Sequence, residues 1–233
     1  MVDEVGPGLD GVAVGDEVFG FAVGGGYAEY AVLAQFAARP AGMSWPEAGG
    51  LPVVTETAVR ALDLLGVAAG QTLLINGAAG GVGTAVVQFA RTREATVIGT
   101  ASPANHEYLR SIGATPTTYG PGLVDRVRAV APSGVDRAFD TAGRGALPDL
   151  IELTGSPQRV LTIADPQAAQ YGVPHTSGAE GRSYHALGEA ARLFTQGRFS
   201  MPVAATFPLA DAPEAHRISE QGHVRGKLVL LPA

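Results

Sequence analysis

One segment constrains the fold of this chain more than any other. An apolar run at residues 73–75 leads directly into a glycine-rich turn and then into a helix-forming stretch from Val82. The glycines permit a tight turn without Cβ clashes, and the first N–H groups of the following helix lack helical partners, which suits a bound pyrophosphate. Against the dinucleotide fingerprint G-x-G-x-x-G, the matching positions are Ala78, Gly80 and Gly83, so alanine replaces the first glycine.

Other interpretations of the glycine motif make different demands on the sequence. Any parallel sheet can use glycines at a strand-to-helix turn, and this purely structural alternative stays open. A Walker-type loop needs Gly-Lys-Ser/Thr, but the only lysine is Lys227, which Leu228 follows. The same lysine excludes a Tyr-x-x-x-Lys dyad, because His223 stands four residues before it. No Gly-x-Ser-x-Gly elbow indicates a serine hydrolase.

The composition is that of a globular chain with one large or two small domains. Its 233 residues are 46% hydrophobic and 16% charged. The net charge of −6 argues against nucleic-acid binding, and without an apolar run of membrane length or a signal peptide we expect no membrane association and a cytoplasmic location. Without cysteines, disulfides and thiolate zinc sites are excluded, and the five histidines lack metal-ligand spacing, so we expect no metal site.

Strands and helices alternate through the middle of the chain, which predicts an α/β fold with a parallel sheet and crossover helices. The predicted strands are 72–76, 96–100, 115–119, 135–141 and 159–164. The predicted helices between them are 82–91, 104–112, 123–130 and 145–153. Ligands of such sheets bind at the carboxyl ends of the strands.

The two ends of the chain have a different character. A capping box at 44–47 predicts a helix start, and a second helix should run from about Val53 to Leu65. The short, glycine-punctuated runs at 12–21 and 27–33 predict a small antiparallel or barrel-like unit. The C-terminal part predicts helices near 183–196 and 212–220 and strands at 203–207 and 227–231.

Eight short motifs occur in the order in which one superfamily has them. They are VGDEVFG at 14–20, GYAEY at 26–30, LP at 51–52, ETA at 56–58, AAGGVG at 78–83, GTAS at 99–102, DTAG at 140–143 and GKLV at 226–229. On these motifs the chain resembles the medium-chain dehydrogenase/reductase superfamily, and within it the zinc-independent quinone oxidoreductase branch. The resemblance implies a Rossmann-type doubly wound parallel sheet plus a GroES-like β-barrel domain, with NADPH bound between them.

The resemblance also implies domain limits. A Rossmann-type NADP-binding domain is expected at 47–197, and a partial GroES-like catalytic domain at 1–46 and 198–233. Family members have several tens of residues before the region like 2–6, so we expect this chain to lack the first part of its barrel. Two functions therefore stay open: an NADPH-dependent quinone or enone reductase, and a truncated, catalytically weak or silent dinucleotide-binding protein.

Two sequence segments, 21–25 and 99–102, indicate zinc independence and the choice of cofactor. Zinc-dependent relatives have a four-cysteine lobe where this chain has only residues 21–25, which favours reduction of a quinone or an α,β-unsaturated carbonyl over alcohol dehydrogenation. An NAD site usually has a carboxylate about 20 residues past the glycines, but GTAS at 99–102 contains none. This strand end therefore predicts NADPH as the cofactor, and the Ser102 hydroxyl could donate a hydrogen bond to the 2′-phosphate. A methyltransferase is disfavoured, because its glycine loop normally needs an acid at the end of this strand.

Further cofactor contacts are implied by the resemblance. The resemblance implies that His106 and Tyr119 approach the 2′-phosphate, and each also has a plain alternative: His106 as a helix-surface residue and Tyr119 as a half-buried residue at a strand end. Relatives often have arginine where this chain has Ala104. The phosphate-loop contacts should include Gly81 and Val82 beside the fingerprint positions. The nicotinamide-side contacts should be Thr57, Thr141, Ala142, Gly143, Ile163 and Ala164. Alternatively, these residues are ordinary helix and strand ends without a role in binding.

Three points concern the remainder of the site and its partners. Lys227 lies in the family's Gly-Lys turn, where it either helps to close the cofactor cleft or is a plain surface charge. No catalytic acid can be named. A homodimer is expected through the sheet edge, to which the extended run 172–175 can contribute, since proline favours an outer strand.

Overall fold

A computed structural model describes residues 1–179 and 181–232 and divides the chain into two compact units. The terminal unit contains Met1–Glu56, Tyr184–Gly222 and the chain from Lys227 onward. The sheet unit contains Thr57–Ser183 and His223–Gly226. The domain limits implied by the resemblance stay a prediction.

The strands and helices follow one another along both units. The strands are β1 (Val18–Ala22), β2 (Leu33–Ala38), β3 (Thr72–Asn76), β4 (Thr96–Thr100), β5 (Thr115–Thr117), β6 (Arg137–Asp140), β7 (Val160–Thr162), β8 (Val203–Pro208) and β9 (Lys227–Leu231). The α-helices are α1 (Trp45–Gly50), α2 (Pro52–Leu64), α3 (Gly81–Thr92), α4 (His106–Ser111), α5 (Leu123–Val130), α6 (Leu147–Thr154), α7 (Ala186–Thr195) and α8 (Ala212–Gln221).

A five-stranded parallel sheet organises the sheet unit, with the strand order β5-β4-β3-β6-β7. The order reverses at β3, from which the chain proceeds first toward β5 and later toward β7. This is the arrangement of a doubly wound Rossmann-type sheet, and it confirms the predicted α/β class. The turn where the order reverses is the glycine-rich segment between β3 and α3.

The strands of this sheet are apolar because both faces are covered. Leu73, Leu74 and Ile75 of β3 are completely buried. Successive side chains of a strand point to opposite faces, so a continuous apolar run requires packing on both sides. One face forms a core with α5 and α6, whose members are Leu74, Ile98, Leu123, Val127, Ala138, Leu147, Leu150 and Val160.

Two strand pairs lie in the terminal unit. β1 and β2 are antiparallel, with Val18 opposite Ala38, and β8 and β9 are parallel. Among the described residues these pairs are separate two-stranded sheets. The GroES-like barrel therefore stays a prediction, whereas the Rossmann-type part of the fold is observed.

The predicted N-terminal strands were misplaced. The expected runs 12–21 and 27–33 contain strand only at their ends, since the observed strands are Val18–Ala22 and Leu33–Ala38. The physical reason for the first run lies in a turn: Gly15, inside that run, has a φ of +95°, which a strand cannot contain. The backbone N–H of Ala13 donates to Asp16 Oδ2 (2.8 Å), which stabilises a turn where a strand was expected.

Elsewhere the differences are small. Three of the predicted sheet strands extend one or two residues too far, and the predicted helix 104–112 begins as a 3₁₀ turn, Pro103–Asn105, before α4. The predicted helix 145–153 begins at Leu147 instead, which places Pro148 in the first turn. Proline is tolerated there because its missing N–H would have no helical partner.

Candidate functional site

The turn between β3 and α3 is built around Gly77. Its φ is +85°, a left-handed conformation that side chains other than glycine rarely adopt. A Cβ on Gly77 would also lie 2.8 Å from Thr141 Oγ1. Gly77 thus provides the tight turn for which the fingerprint normally uses its first glycine, which explains why alanine is accepted at the next position.

The methyl group of Ala78 has a dedicated space in the sheet unit. Ala78 is completely buried, and a Cβ on Gly99 of β4 would lie only 2.6 Å from the Ala78 Cβ. Gly99 has an ordinary backbone conformation, so its lack of a side chain serves packing. The departure from the fingerprint at Ala78 is therefore matched by a glycine on the neighbouring strand.

Gly83 and Gly80 lack side chains for different reasons. A Cβ on Gly83 would lie 2.3 Å from Gly77 O and 2.6 Å from Ala78 Cα, so this glycine lets α3 pack closely on the turn. Gly80 has a φ of −72°, and a Cβ there would meet only Gly77 O at 3.5 Å, an ordinary contact. Neither the backbone nor the surrounding protein requires glycine at 80. Its effect is to leave open the space in front of the helix.

The first turn of α3 offers hydrogen-bond donors to that space. The helix starts at Gly81, and its N-cap is Gly80, which has no side chain to accept from the backbone. The first N–H groups of an α-helix have no partner within the helix, and the helix dipole adds partial positive charge. Gly81, Val82 and Gly83 therefore lie where the backbone can donate to a phosphate.

A buried hydrogen-bond network joins the carboxyl ends of four strands. Asn76 Nδ2 donates to Asp140 Oδ1, Thr100 Oγ1 donates to Asn76 Oδ1, and Thr162 Oγ1 donates to Asp140 Oδ2, each over 2.8 Å. Asp140, Thr100 and Thr162 are fully buried. These residues end β3, β4, β6 and β7, so the network crosses the sheet along its ligand-binding edge.

The same side chains hold the loops that follow the strands. Thr100 Oγ1 accepts from the N–H of Gly77 (3.0 Å), and Asp140 Oδ1 accepts from the N–H groups of Ala142 (3.1 Å) and Gly143 (2.9 Å). Asn76, Thr100, Asp140 and Thr162 were not among the predicted site residues. The available signal was the polar residue that ends each apolar strand.

The residues predicted on the adenosine side follow β4 and β5. Ser102 precedes the 3₁₀ turn and accepts from Asn105 Nδ2 (3.3 Å). His106 Nε2 donates to the carbonyl of Ala101 (3.3 Å) and is half-buried. The Tyr119 side chain is 48% exposed. All three lie just beyond the carboxyl ends of neighbouring strands, at the edge that also contains the glycine turn, and their contacts to a phosphate stay predictions.

The residues predicted on the nicotinamide side follow β6 and β7. Thr141 Oγ1 donates to the carbonyl of Asn76 (2.8 Å). Gly143 has a φ of +65°, and a Cβ there would lie 2.9 Å from the carbonyl oxygen of Ala164. The N–H of Ile163 donates to the carbonyl of Asp140 (3.1 Å). The structure thus brings the loops after β6 and β7 into direct contact at the ligand-binding edge.

Thr57 is connected to this edge through a buried arginine. Arg60 Nη2 donates to Thr57 Oγ1 (3.5 Å), and Arg60 Nη1 donates to Thr176 Oγ1. The N–H of Thr176 in turn donates to the carbonyl of Thr162 at the end of β7 (3.1 Å). Thr57 is therefore connected through Arg60 to the segment that pairs with β7, and its contact with the nicotinamide stays a prediction.

Lys227 is not a plain exposed charge. It lies in the terminal unit, where its stem packs on α1 so closely that a Cβ on Gly50 would be 3.2 Å from Lys227 Cγ. Burial lowers the pKa of its ammonium group, because desolvation disfavours the charged form. Its predicted contact with the cofactor stays a prediction.

Two kinds of feature are absent from the described part of the chain. Within residues 1–179 and 181–232, no three histidine, aspartate or glutamate side chains are grouped so that they could hold a metal ion. The expected absence of a bound metal stays a prediction. No helix in these ranges is long and apolar enough to cross a membrane.

The chain belongs to the zinc-binding dehydrogenase family, whose model matches residues 112–230, and thereby to the medium-chain dehydrogenase/reductase superfamily of oxidoreductases. Spectinabilin polyketide synthase system protein NorB from Streptomyces orinoci is 34% identical over 258 residues. That match covers 99% of this chain but 11% of the synthase protein, so the chain spans about a tenth of that relative's length.

Solved structures show the same fold over nearly the whole chain. The quinone oxidoreductase from Coxiella burnetii has a TM-score of 0.79 at 27% identity, covering 97% of this chain and 75% of its own. Mycobacterial Rv1454c, solved with NADPH, has a TM-score of 0.81 at 25% identity, covering 99% of this chain and 80% of its own. The resemblance inferred from the motifs is therefore confirmed at the level of the superfamily.

Proposed function

We propose that this chain binds NADPH at the carboxyl edge of its parallel sheet and reduces the double bond of an α,β-unsaturated carbonyl compound. The observation that supports the proposal most is the open space at Gly80, bounded by the uncapped first turn of α3. A Cβ there would meet protein only at Gly77 O, 3.5 Å away, so glycine at 80 keeps the space free for a bound group. A pyrophosphate fits the donors and the dipole of this helix end.

The strand-end network fixes the loops against which a dinucleotide would lie. Asp140 holds the backbone of Ala142 and Gly143, and Thr100 holds Gly77, so loops on both sides of the turn have defined positions. Preorganised loops reduce the ordering cost of binding and orient the reacting groups. When bound, NADPH supplies a hydride from C4 of its nicotinamide.

The reaction reduces a carbon–carbon double bond. The reaction would add a hydride from the bound cofactor at the β-carbon and a proton at the α-carbon of the resulting enolate, and it would oxidise NADPH to NADP⁺. The proton donor is not assigned to any side chain. Water can deliver this proton, because an enolate is basic enough at its α-carbon to take one from solvent.

The relatives favour an enoyl thioester as the unsaturated carbonyl. NorB belongs to a polyketide synthase system. In polyketide assembly generally, the acyl chains are carried as thioesters. The NADPH-bound mycobacterial relative supports the choice of cofactor. Because the chain spans 11% of NorB, the synthase's own reactions are no more than a guide to the substrate class.

Quinone reduction is the second candidate. The similarity to the Coxiella burnetii quinone oxidoreductase, with a TM-score of 0.79, favours it. Both candidates transfer a hydride to an electron-poor conjugated system, so they share the cofactor site and differ only in the acceptor.

A comparison of acceptors with labelled cofactor tests the proposal. Crotonyl-pantetheine and 1,4-benzoquinone would be incubated with NADPH carrying deuterium at C4, and NADPH consumption followed by absorbance. We expect deuterium at the β-carbon of butyryl-pantetheine, and turnover at least about tenfold slower with the Gly80→Val variant when NADPH is subsaturating. Faster turnover of the quinone would favour the second candidate, and a lack of NADPH binding would contradict both.

A further inference from the structure

An arginine that the motifs did not predict lies beside the glycine turn. Arg225 is exposed, and its Cζ lies 5.3 Å from the centroid of the Tyr108 ring. A cation within about 6 Å of an aromatic face is attracted to it. In the described ranges, no carboxylate forms an ion pair with this guanidinium. Its charge is therefore not neutralised by the protein around it.

The backbone next to Arg225 is fixed on the glycine turn. The N–H of Gly226 donates to the carbonyl of Ala79 (3.2 Å), and Gly226 forms a parallel bridge with Gly80. Arg225 is therefore one residue away from a direct contact with the loop that opens α3. This places its side chain at the start of that helix.

The Tyr108 ring lies between two helices. It belongs to α4, and its hydroxyl donates to Thr84 Oγ1 of α3 (3.2 Å). Burial raises the pKa of the Tyr108 phenol, so the hydroxyl stays protonated and keeps this bond at neutral pH. The ring thus holds the guanidinium between the glycine turn and α4, the helix that follows Ser102.

The segment between β4 and α4 is where the adenosine ribose of a dinucleotide lies in a Rossmann-type sheet. NADPH differs from NADH by one phosphate on that ribose. Residues 99–102 contain no acid that would repel it, and position 104 is alanine. An arginine near this position is the usual device for a 2′-phosphate, because its planar fork binds phosphate oxygens in pairs.

We propose that Arg225, positioned by the Tyr108 ring, binds the adenosine 2′-phosphate of NADPH and determines the preference for NADPH over NADH. This inference rests on the proposed dinucleotide site. It assigns the phosphate selectivity to a residue near the end of the sequence, far from the strand end that the cofactor motif usually contains.

Calorimetric titration tests the role of Arg225 without any substrate. NADPH, NADH and adenosine 2′,5′-bisphosphate would be titrated into the unsubstituted protein and into Arg225→Met and Arg225→Lys. Arg110→Met is the matched control, because it removes an exposed guanidinium from α4 and the same net charge. Thermal unfolding of each variant would establish that the fold is retained.

We expect Arg225→Met to weaken NADPH and adenosine 2′,5′-bisphosphate by about tenfold or more, the effect of losing a charged hydrogen bond. NADH binding should change by less than about twofold. Arg225→Lys should retain only part of the NADPH affinity, because lysine keeps the charge but not the planar fork, and Arg110→Met should resemble the unsubstituted protein.

Three results would overturn the inference. Equal weakening of NADPH and NADH would place Arg225 on the pyrophosphate instead, and unchanged NADPH binding would remove it from the site. In both cases the proposed function would stand. If the unsubstituted protein bound neither cofactor, the proposed function would fail as well.

Discussion

At the scale of single residues, three glycines of the turn have different structural roles. Gly77 provides a left-handed backbone, Gly83 permits close packing, and Gly80 leaves space. A sequence motif weights these positions equally. The structure separates them, and so predicts that substitutions at the three positions will fail for different reasons.

Gly80→Val should weaken NADPH binding by at least about tenfold, or about 1.4 kcal/mol, because a branched side chain enters the phosphate space. The fold should be retained, since a Cβ at this position meets only Gly77 O at 3.5 Å. Fluorescence titration would measure the affinity. Gly188→Val is the control, because a Cβ there meets nothing within 4 Å. Unchanged affinity in a folded Gly80→Val protein would reject the assigned loop.

The Ala78 and Gly99 positions should behave as a coupled pair. Gly99→Ala places a methyl 2.6 Å from the Ala78 Cβ and should destabilise the protein by about 1–3 kcal/mol through overpacking. In an Ala78→Gly background, Gly99→Ala should destabilise the protein much less. Urea unfolding of the two single variants and the double variant gives the coupling energy. Additive effects would show that the two residues do not compete for space.

Elements differ in how far the sequence determines them. The strands 72–76 and 96–100 were predicted exactly, because each is a short apolar run ended by a glycine turn or a polar segment. The helix start at Ser44 was predicted from a capping box, which the structure contains in both directions: Ser44 accepts from the N–H of Glu47, and Glu47 accepts from that of Ser44. Local patterns of this kind predict a strand or a helix start without any knowledge of tertiary contacts.

The missed features depend on contacts that are remote in sequence. Asn76 and Asp140, which meet across the sheet, are 64 residues apart. Arg225 and Tyr108 come together only because the bridge between Gly226 and Gly80 returns the chain to the glycine turn. In the N-terminal region, the β-rich composition did not reveal which glycines have a positive φ.

The strand-end network should contribute strongly to stability. Asp140→Ala removes the acceptor for Asn76, Thr162 and two backbone N–H groups, and three of these four hydrogen bonds are buried. We expect a loss of about 3 kcal/mol or more, because buried donors left without partners cost about 1–3 kcal/mol each and are not additive. Asp140→Asn keeps the side-chain shape and one acceptor oxygen, so it should destabilise the protein less than Asp140→Ala. Urea unfolding measures both, and a loss below about 1 kcal/mol for Asp140→Ala would contradict the expected role.

At the scale of the whole molecule, the edge of the sheet beyond β7 predicts self-association. His175 forms an isolated parallel bridge with Thr162, in which the Pro174 carbonyl and the Thr176 N–H bond to β7. By strand alternation the N–H and C=O of His175 point away from the sheet and can pair with a second copy.

Sedimentation velocity over a range of concentrations tests this interface. We expect a homodimer for the unsubstituted protein, dissociation in His175→Pro, which lacks the outward N–H, and an intact dimer in His175→Ala, which retains it. A monomer at every concentration would count against the proposed edge.

The order of strands in the sheet determines which of them can pair while the protein is still being synthesised. β3, β4 and β5 are consecutive in the chain and adjacent in the sheet, so this half can pair while the ribosome is still adding β6. Until β6 arrives, the other side of β3 is an unpaired apolar edge, and its Leu73–Ile75 backbone is open to a wrong partner. The turn from Gly77 to Gly83 is complete by then. A nascent chain halted before Arg137 is thus expected to be the stage at which a chaperone is needed most.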